Sequence, residues 1–333
     1  MRIVFLGASE LGWECCRTLL ESGQQVVGIL SIPREFRISW STRPVTNVRF
    51  KSFDNLSREY GVPIEHVTSK MSDPRYRMLL ESWNPDLLVV IGWYYLVPRA
   101  LRDSAPLGAV GIHASLLPRY RGGAPLVWAM INGERESGIS LFHFADGVDT
   151  GDVIAQRTFA ISLEDDISTL IWKSTAASLD VLRECMPKLA AGTAPRLPQD
   201  HSKATVVPQR KPEDGLLDWN RLTALEAYNW VRAQTRPYPG AFTFLGREKI
   251  TLWRVVPPAT PKMVDAPPGA VVISRSDVPE VFGVVCADGK LVGVSEAEVS
   301  GGQVVTGAEL ANMRSSAAGT VLGERALACA ATT

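Results

Sequence analysis

The strongest constraint on this chain is the alternation, from Arg2 to Ile131, of short apolar runs with amphipathic stretches. Arg2–Leu6, Gln25–Ser31, Pro63–Val67, Asp86–Ile91 and Gly108–Ile112 read as strands. The turn Gly7-Ala8-Ser9-Glu10-Leu11-Gly12 opens a helix, and Asp54–Tyr60, Pro74–Ser82 and Leu126–Ile131 read as further helices. Strands apolar at successive positions are buried on both faces, and a strand-helix-strand rhythm connects them in parallel. The expected fold class is therefore α/β, with a Rossmann-like parallel sheet covered by helices.

The rhythm then changes. Gly138–Ala145 and Asp152–Ala160 read as strands, and Ser168–Leu189 as a long amphipathic helix ending at Ala191-Gly192. Thr193–Lys211, with Pro195, Pro198 and Pro208, reads as a linker. Beyond it, Leu222–Ala233 is one helix, followed by five short strands near Ala241–Phe244, Ile250–Val255, Ala270–Ser274, Val281–Cys286 and Leu291–Val294. That many short strands in so little chain imply a small OB-like barrel. The expected organisation is a catalytic domain over 1–200, an OB-like domain over 205–312, and a disordered, small-residue-rich tail over 313–333.

Composition narrows the function classes. The 333 residues are 46% hydrophobic, enough for two real cores, and 35 basic residues balance 35 acidic ones. Net charge thus gives no support to a bulk electrostatic grip on nucleic acid. Cys15, Cys16, Cys185, Cys286 and Cys329 form no CxxC pair, and an odd count suits no disulfide framework, so they are expected to be reduced thiols in a cytoplasmic protein. The start does not read as a secretory signal, and no apolar run approaches the roughly 20 residues needed to span a membrane. His66, His113, His143 and His201 have no metal-binding spacing, and no metal is expected.

Two segments invite phosphate or anion readings. GASELG follows a strand, but its glycines are not spaced as GxGxxG and no acid ends the second strand, so a plain strand-to-helix turn is the better reading. Pro33–Lys51 carries Arg34, Arg37, Arg43, Arg49 and Lys51 against Glu35, with Phe36, Trp40 and Phe50 interleaved. Both a grip on an acidic substrate and a solvated surface loop remain open for it.

His113 has the context the other histidines lack. It follows the apolar strand and so stands at a carboxyl end, the edge where open parallel sheets bind ligands. The loop Ala114–Pro125 after it is dense in turn formers and basic side chains, and Asp146-Gly147-Val148-Asp149-Thr150-Gly151-Asp152 forms an acidic turn between strands. Together, HASLLPRYRGGAPLVWAMINGERESGIS followed by DGVDTGD resembles the folate-dependent formyltransferase family, whose branches act on methionyl-tRNA, glycinamide ribonucleotide or amino sugars. Through Leu217-Asp218-Trp219 and Arg236-Pro237-Tyr238-Pro239-Gly240-Ala241-Phe242, the second half looks nearest to the amino-sugar branch.

The resemblance implies an enzyme that moves a one-carbon unit from 10-formyltetrahydrofolate, or from 5-formimidoyltetrahydrofolate, to an amine. It implies a pterin held by Ile91, Gly92, Trp93, Leu96 and Val97 on one side and by Ala145, Asp146, Gly147 and Val148 on the other. It makes Ser115, Leu116, Leu117, Pro118, Arg119, Arg121 and Gly122 the rim of the acceptor pocket. His113 would shuttle protons and Asp149 would orient it. The family carries an asparagine two residues before the histidine, where this chain has Gly111. Losing such an oxyanion donor typically costs on the order of 10²–10³ in rate. Another donor could replace it, a formimidoyl group could need it less and find room beside a glycine, or the protein could bind folate without turnover. The expected acceptor is a small-molecule amine, an amino sugar or an aminoacylated secondary metabolite of the kind found in antibiotic biosynthesis. Transfer RNA is the runner-up, since neutral composition offers it no broad basic surface.

Overall fold

A computed structural model describes residues 1–38, 43–257, 263–274 and 281–323. Trp40 of the basic segment and the last part of the expected tail, 324–333, lie outside the described residues. The chain forms two compact units. The first comprises Met1–Pro125, Glu136–Ala160 and Ile171–Pro208, and the second Leu126–Arg135, Ile161–Leu170 and Gln209–Thr333.

The first unit is built on a seven-stranded sheet. Its strands are β1 (Arg2–Leu6), β2 (Gln25–Ser31), β3 (Ile64–His66), β4 (Leu87–Val90), β5 (Ala109–His113), β6 (Glu136–His143) and β7 (Val153–Ala160), in the order β7-β6-β5-β4-β1-β2-β3. The pairs β1-β2, β2-β3, β1-β4 and β4-β5 are parallel. The two strands placed after the change of rhythm join antiparallel, β6 on β5 and β7 on β6.

The two-residue side-chain period of a strand explains the layers. Ile3, Phe5, Leu87 and Val89 pack with Cys15 and Leu19 of the helix Glu10–Glu21 and with Val181, Leu182 and Cys185 of the helix Ile167–Ala190. Val4, Leu6, Leu88 and Val90 pack instead with Tyr76 and Leu80 of the helix Pro74–Trp83. Both faces are thereby covered, as continuous apolar strands require. Ser9 caps the first helix, its hydroxyl accepting from Gly12 N–H at 3.3 Å.

The proline-rich stretch read as a linker is ordered through most of its length and belongs to this unit up to Pro208. Leu197 pairs with Val153 through two reciprocal 2.9 Å bonds, and Val206–Val207 pairs in parallel with Arg121–Gly122. Proline removes its own donor but leaves the residues between prolines extended and able to pair, which composition does not reveal.

The second unit carries a six-stranded antiparallel sheet: β8 (Ala241–Leu245), β9 (Glu248–Val255), β10 (Val271–Ser274), β11 (Val281–Val285), β12 (Leu291–Val299) and β13 (Val304–Thr306). The path runs β8-β9-β12-β11-β10, with β13 on β12. Thr320–Gly323 then joins the two ends. Phe244 and Gly323 exchange N–H···O bonds of 3.0 and 3.1 Å, and Val271 N–H donates to Thr320 O at 2.9 Å. This closure removes the free edges of β8 and β10. The chain from Arg314 to Gly323 is therefore structured, with Leu322 buried in the barrel core, where a disordered tail from 313 is expected from small residues alone.

Trp219 is buried and its indole donates to Thr243 Oγ1 at 3.0 Å, while Leu217 N–H donates to Phe242 O at 2.9 Å. Thr223 and Glu226 form a reciprocal capping box, so the helix begins at Ala224 rather than Leu222. A second such box, Thr306 with Glu309, starts the helix Gly307–Met313, which a strand-only reading of this region passes over.

Candidate active site

The candidate site lies in the first unit, at the carboxyl end of β5. His113 Nε2 is 2.7 Å from the carbonyl oxygen of Tyr120. A carbonyl can only accept, so Nε2 carries the hydrogen and Nδ1 is the nitrogen that changes protonation. His113 Nδ1 faces Asp149 Oδ2 at 3.5 Å, a separation longer than a good hydrogen bond. Both side chains are mostly buried, 11% and 20% exposed. The two residues that the sequence sets 36 positions apart (149 − 113) are thus neighbours.

Asp149 is held from several sides. Its Oδ2 accepts from Gly122 N–H at 2.9 Å. Its backbone has φ +54°, in the left-handed region that a non-glycine residue rarely enters. Gly151, two residues on, is in close quarters: a Cβ there would lie 1.7 Å from the His143 carbonyl oxygen. Gln199 Nε2 donates to Asp149 O at 2.9 Å and to Gly151 O at 2.6 Å.

The loop after His113 is also over-determined. Tyr120, Gly122 and Ala124 have φ of +56°, +98° and +50°. Ser115 Oγ donates to Arg119 O at 2.6 Å, and Ser140 Oγ donates to Ser115 O at 2.7 Å. Leu117 N–H donates to Ser140 Oγ at 3.0 Å, and Gln156 Nε2 to Leu117 O at 2.9 Å. Leu116 packs beside Gly138, and the Leu117-Pro118 bond is cis. Arg119 is exposed, but Arg121 is not a rim cation. It is 6% exposed and its guanidinium turns inward to Gln199 Oε1, at 3.1 Å from Nε and 2.5 Å from Nη2.

The segments proposed to hold a pterin differ in exposure. Ile91 and Val97 are buried, Trp93 is half-buried, and Leu96 is 81% exposed. Gly92 takes φ +64°, turning the chain at the end of β4. Tyr94 hydroxyl donates to Asn47 Oδ1 at 2.9 Å and Asn47 Nδ2 to Ala8 O at 2.7 Å, which ties this loop to the turn after β1. Across from it in sequence, Ala145, Asp146, Gly147 and Val148 are all exposed. Asp146 is pinned by Arg102 at 2.6 Å, and that hydrogen bond holds its carboxyl below the usual carboxylate range.

Gly111 does not leave an open space. An ideal Cβ there would lie 2.5 Å from Phe144 Cε1 and 2.7 Å from Val90 O. Phe144 stacks on Phe142, ring centroids 5.4 Å apart, and the ring occupies the volume a side chain at 111 would need. A Cβ at position 111 would meet this ring, so the glycine opens no space on that face of the strand. Gln199, Phe144 and the Tyr120 carbonyl are contributors that sequence reasoning does not find. A lone glutamine in a proline-rich stretch carries no pattern, and a backbone carbonyl has no sequence signature.

An imidazole beside a carboxylate at a sheet's carboxyl edge can move a proton to or from a reacting amine. Residues 1–184 match the formyl transferase family and residues 210–315 the formyl transferase C-terminal domain, so the chain belongs to the formyl transferase family. It is an enzyme of formyl transfer. It is 34% identical over 303 residues to the methionyl-tRNA formyltransferase of Citrifermentans bemidjiense, covering 90% of each chain. It is 31% identical over 325 residues to that of Desulforamulus reducens, covering 97% of this chain and 98% of the relative. Among solved structures, HypX from Aquifex aeolicus in complex with tetrahydrofolic acid superposes with a TM-score of 0.59 at 19% identity. The match covers 93% of this chain but only 47% of HypX, so this chain spans about half of that protein.

These relatives correct two expectations. A small-molecule amine acceptor, with nucleic acid unlikely, is contradicted by curated relatives named for a tRNA substrate along nearly their whole length. The physical reasons are visible. Leu217, Trp219, Ala241 and Phe242 pair or pack within the barrel, so they report a fold and not an acceptor. Net charge is a sum over the surface and does not measure a local patch.

Proposed function

We propose that this enzyme transfers the formyl group of 10-formyltetrahydrofolate to the amino group of methionyl-tRNA. The observation that carries this reading is the match to two curated methionyl-tRNA formyltransferases across at least 90% of both chains.

The residues present fit a folate. Trp93 Nε1 is buried with no hydrogen-bond partner among the described residues, a donor left for a ligand's polar edge. Leu96 and Val148 are apolar side chains exposed on the two segments, suited to a flat, largely apolar ring. Ile91–Val97 and Ala145–Val148 would hold the pterin, and the bound folate would supply the formyl carbon. The chain's own part is proton handling. Tyr120 O fixes the ring of His113 through Nε2, and Nδ1, beside Asp149, takes the proton that the attacking amine loses; that proton would pass to the folate nitrogen as its bond to the formyl carbon breaks. Gly122 N–H, donating to Asp149 Oδ2, fixes the carboxylate's aim.

The test is to incubate the protein with 10-formyltetrahydrofolate and methionyl-tRNA, then hydrolyse and weigh the released amino acid. The expected product is N-formylmethionine. Unmodified methionine, alongside formylation of a free or nucleotide-linked small amine, would overturn the proposal.

A further inference from the structure

We infer that Gln199, with Arg121, is a positioning residue that sets the Asp149 carboxylate against His113; this rests on the proton-handling reading above. Gln199 is buried, 8% exposed, and its carboxamide donates and accepts toward the site's two loops. Its Nε2 donates to the carbonyls of Asp149 and Gly151, the residues that flank the reversal of the acidic turn. Its Oε1 accepts from Arg121, whose own neighbour Gly122 donates to Asp149 Oδ2. One side chain thereby links the backbone of Asp149 to the strand that holds the carboxylate. Arg121 Nη2 also reaches His201 Nδ1 at 3.1 Å, and Arg121 N–H donates to Thr205 O at 2.8 Å.

The need for such a clamp follows from the backbone. Asp149 sits at φ +54°, and the non-glycine residues Tyr120 and Ala124 are also in the left-handed region. Such conformations persist only when the surroundings over-determine them. Gln199 reaches both segments from a third part of the chain, Thr193–Pro208, and adds to the direct tie that Gly122 N–H makes to Asp149 Oδ2. Loss of the clamp would let Asp149 relax away from Nδ1, and a displacement of about 1 Å can cost on the order of 10²-fold in rate.

The experiment compares Gln199→Met, Gln199→Glu and Asp149→Asn in the full chain, with kcat and KM for both substrates across pH. Gln199→Met keeps the shape and removes the hydrogen bonds; kcat should fall by about tenfold or more while both KM values stay within about twofold, as for loss of a transition-state contact. Gln199→Glu presents a carboxylate to two carbonyls at neutral pH and regains one donor on protonation. Arg121 faces that carboxylate and opposes its protonation, so activity relative to wild type should rise only toward the acid end of the range, a response that a packing defect would not give. If Gln199→Met keeps wild-type kcat while Asp149→Asn is inactive, the positioning role is overturned and the proton-handling reading survives. A fully active Asp149→Asn overturns that reading itself. Should Gln199→Met fail to fold, wild-type kcat in Gln199→Glu, which keeps the acceptor for Arg121 but loses both donors to the Asp149 and Gly151 carbonyls, still overturns the inference.

Discussion

Replacing Gly111 with alanine tests how tightly the strand beneath His113 is packed. Gly111 pairs with Val90 in the β4-β5 ladder, and an added Cβ would meet Phe144 at 2.5 Å and the Val90 carbonyl oxygen at 2.7 Å. Ordinary contact begins near 3.4 Å, so the ring must retreat by about 0.9 Å (3.4 − 2.5) or the strands must part. Retreat is hindered, since Phe144 stacks on Phe142 and its N–H donates to Ala109 O at 2.8 Å. Overpacking of this kind costs about 1–3 kcal/mol, and the lost chain entropy of glycine returns about 0.4–1 kcal/mol. The net expectation is a loss of about 1–2 kcal/mol, or about 5–30-fold in an opening equilibrium. Hydrogen exchange read by mass spectrometry on peptides covering Leu87–Val90 and Ala109–His113 measures that opening locally, without requiring the two units to unfold together. Phe144→Leu in the same background should recover about 0.5–1 kcal/mol, as a double-mutant cycle reports for contacting residues. Gly111→Asn should be at least as disruptive as Gly111→Ala and should not raise turnover. Unchanged exchange in Gly111→Ala, or strict additivity with Phe144→Leu, would refute the packing argument.

His113→Ala should lower kcat on methionyl-tRNA by about 10²-fold or more, the usual range for a lost general acid-base group, with tRNA binding retained by filter assay. Burial, aided by the Arg196 guanidinium and opposed by Asp152, pushes His143 down from 6.5 to about 4. The unfolded chain takes this proton near 6.5 and the folded one resists it until about 4, so stability is full above 6.5 and falls as pH drops through that window. Thermal melts of His143→Gln should show a weaker decline there than wild type, and parallel declines would count against the assignment. Leu322→Ala should destabilise the barrel by about 2–3 kcal/mol in urea melts, because Leu322 is 3% exposed on the segment that closes it. A change within about 0.5 kcal/mol, typical of surface sites, would mean the closing segment carries little of the barrel's stability.

The periodicities were informative because they are local. Arg2–Leu6 and Gln25–Ser31 match their strands residue for residue, and the other early strands lie within a residue of their expected ends. Alternate residues facing two helical layers leave no other home for continuous apolar runs. Boundaries moved where side chains cap helices, as at Thr223, and a helix was missed where the capping box Thr306–Glu309 is the whole signal.

By itself, the sequence determined the α/β architecture, the antiparallel second unit, and a histidine at a strand's carboxyl end. It also carried the family, because a long motif around His113 and Asp149 is a local string. Only the tertiary structure decided what surrounds those residues. It turned Arg121 inward, filled the space at Gly111 with Phe144, brought Gln199 from a proline-rich stretch to hold Asp149, and joined Gly323 to Phe244. Each of these depends on contacts between residues far apart in the chain. Burial and pairing at such a distance are set by how whole elements pack, and no window of neighbouring residues encodes them.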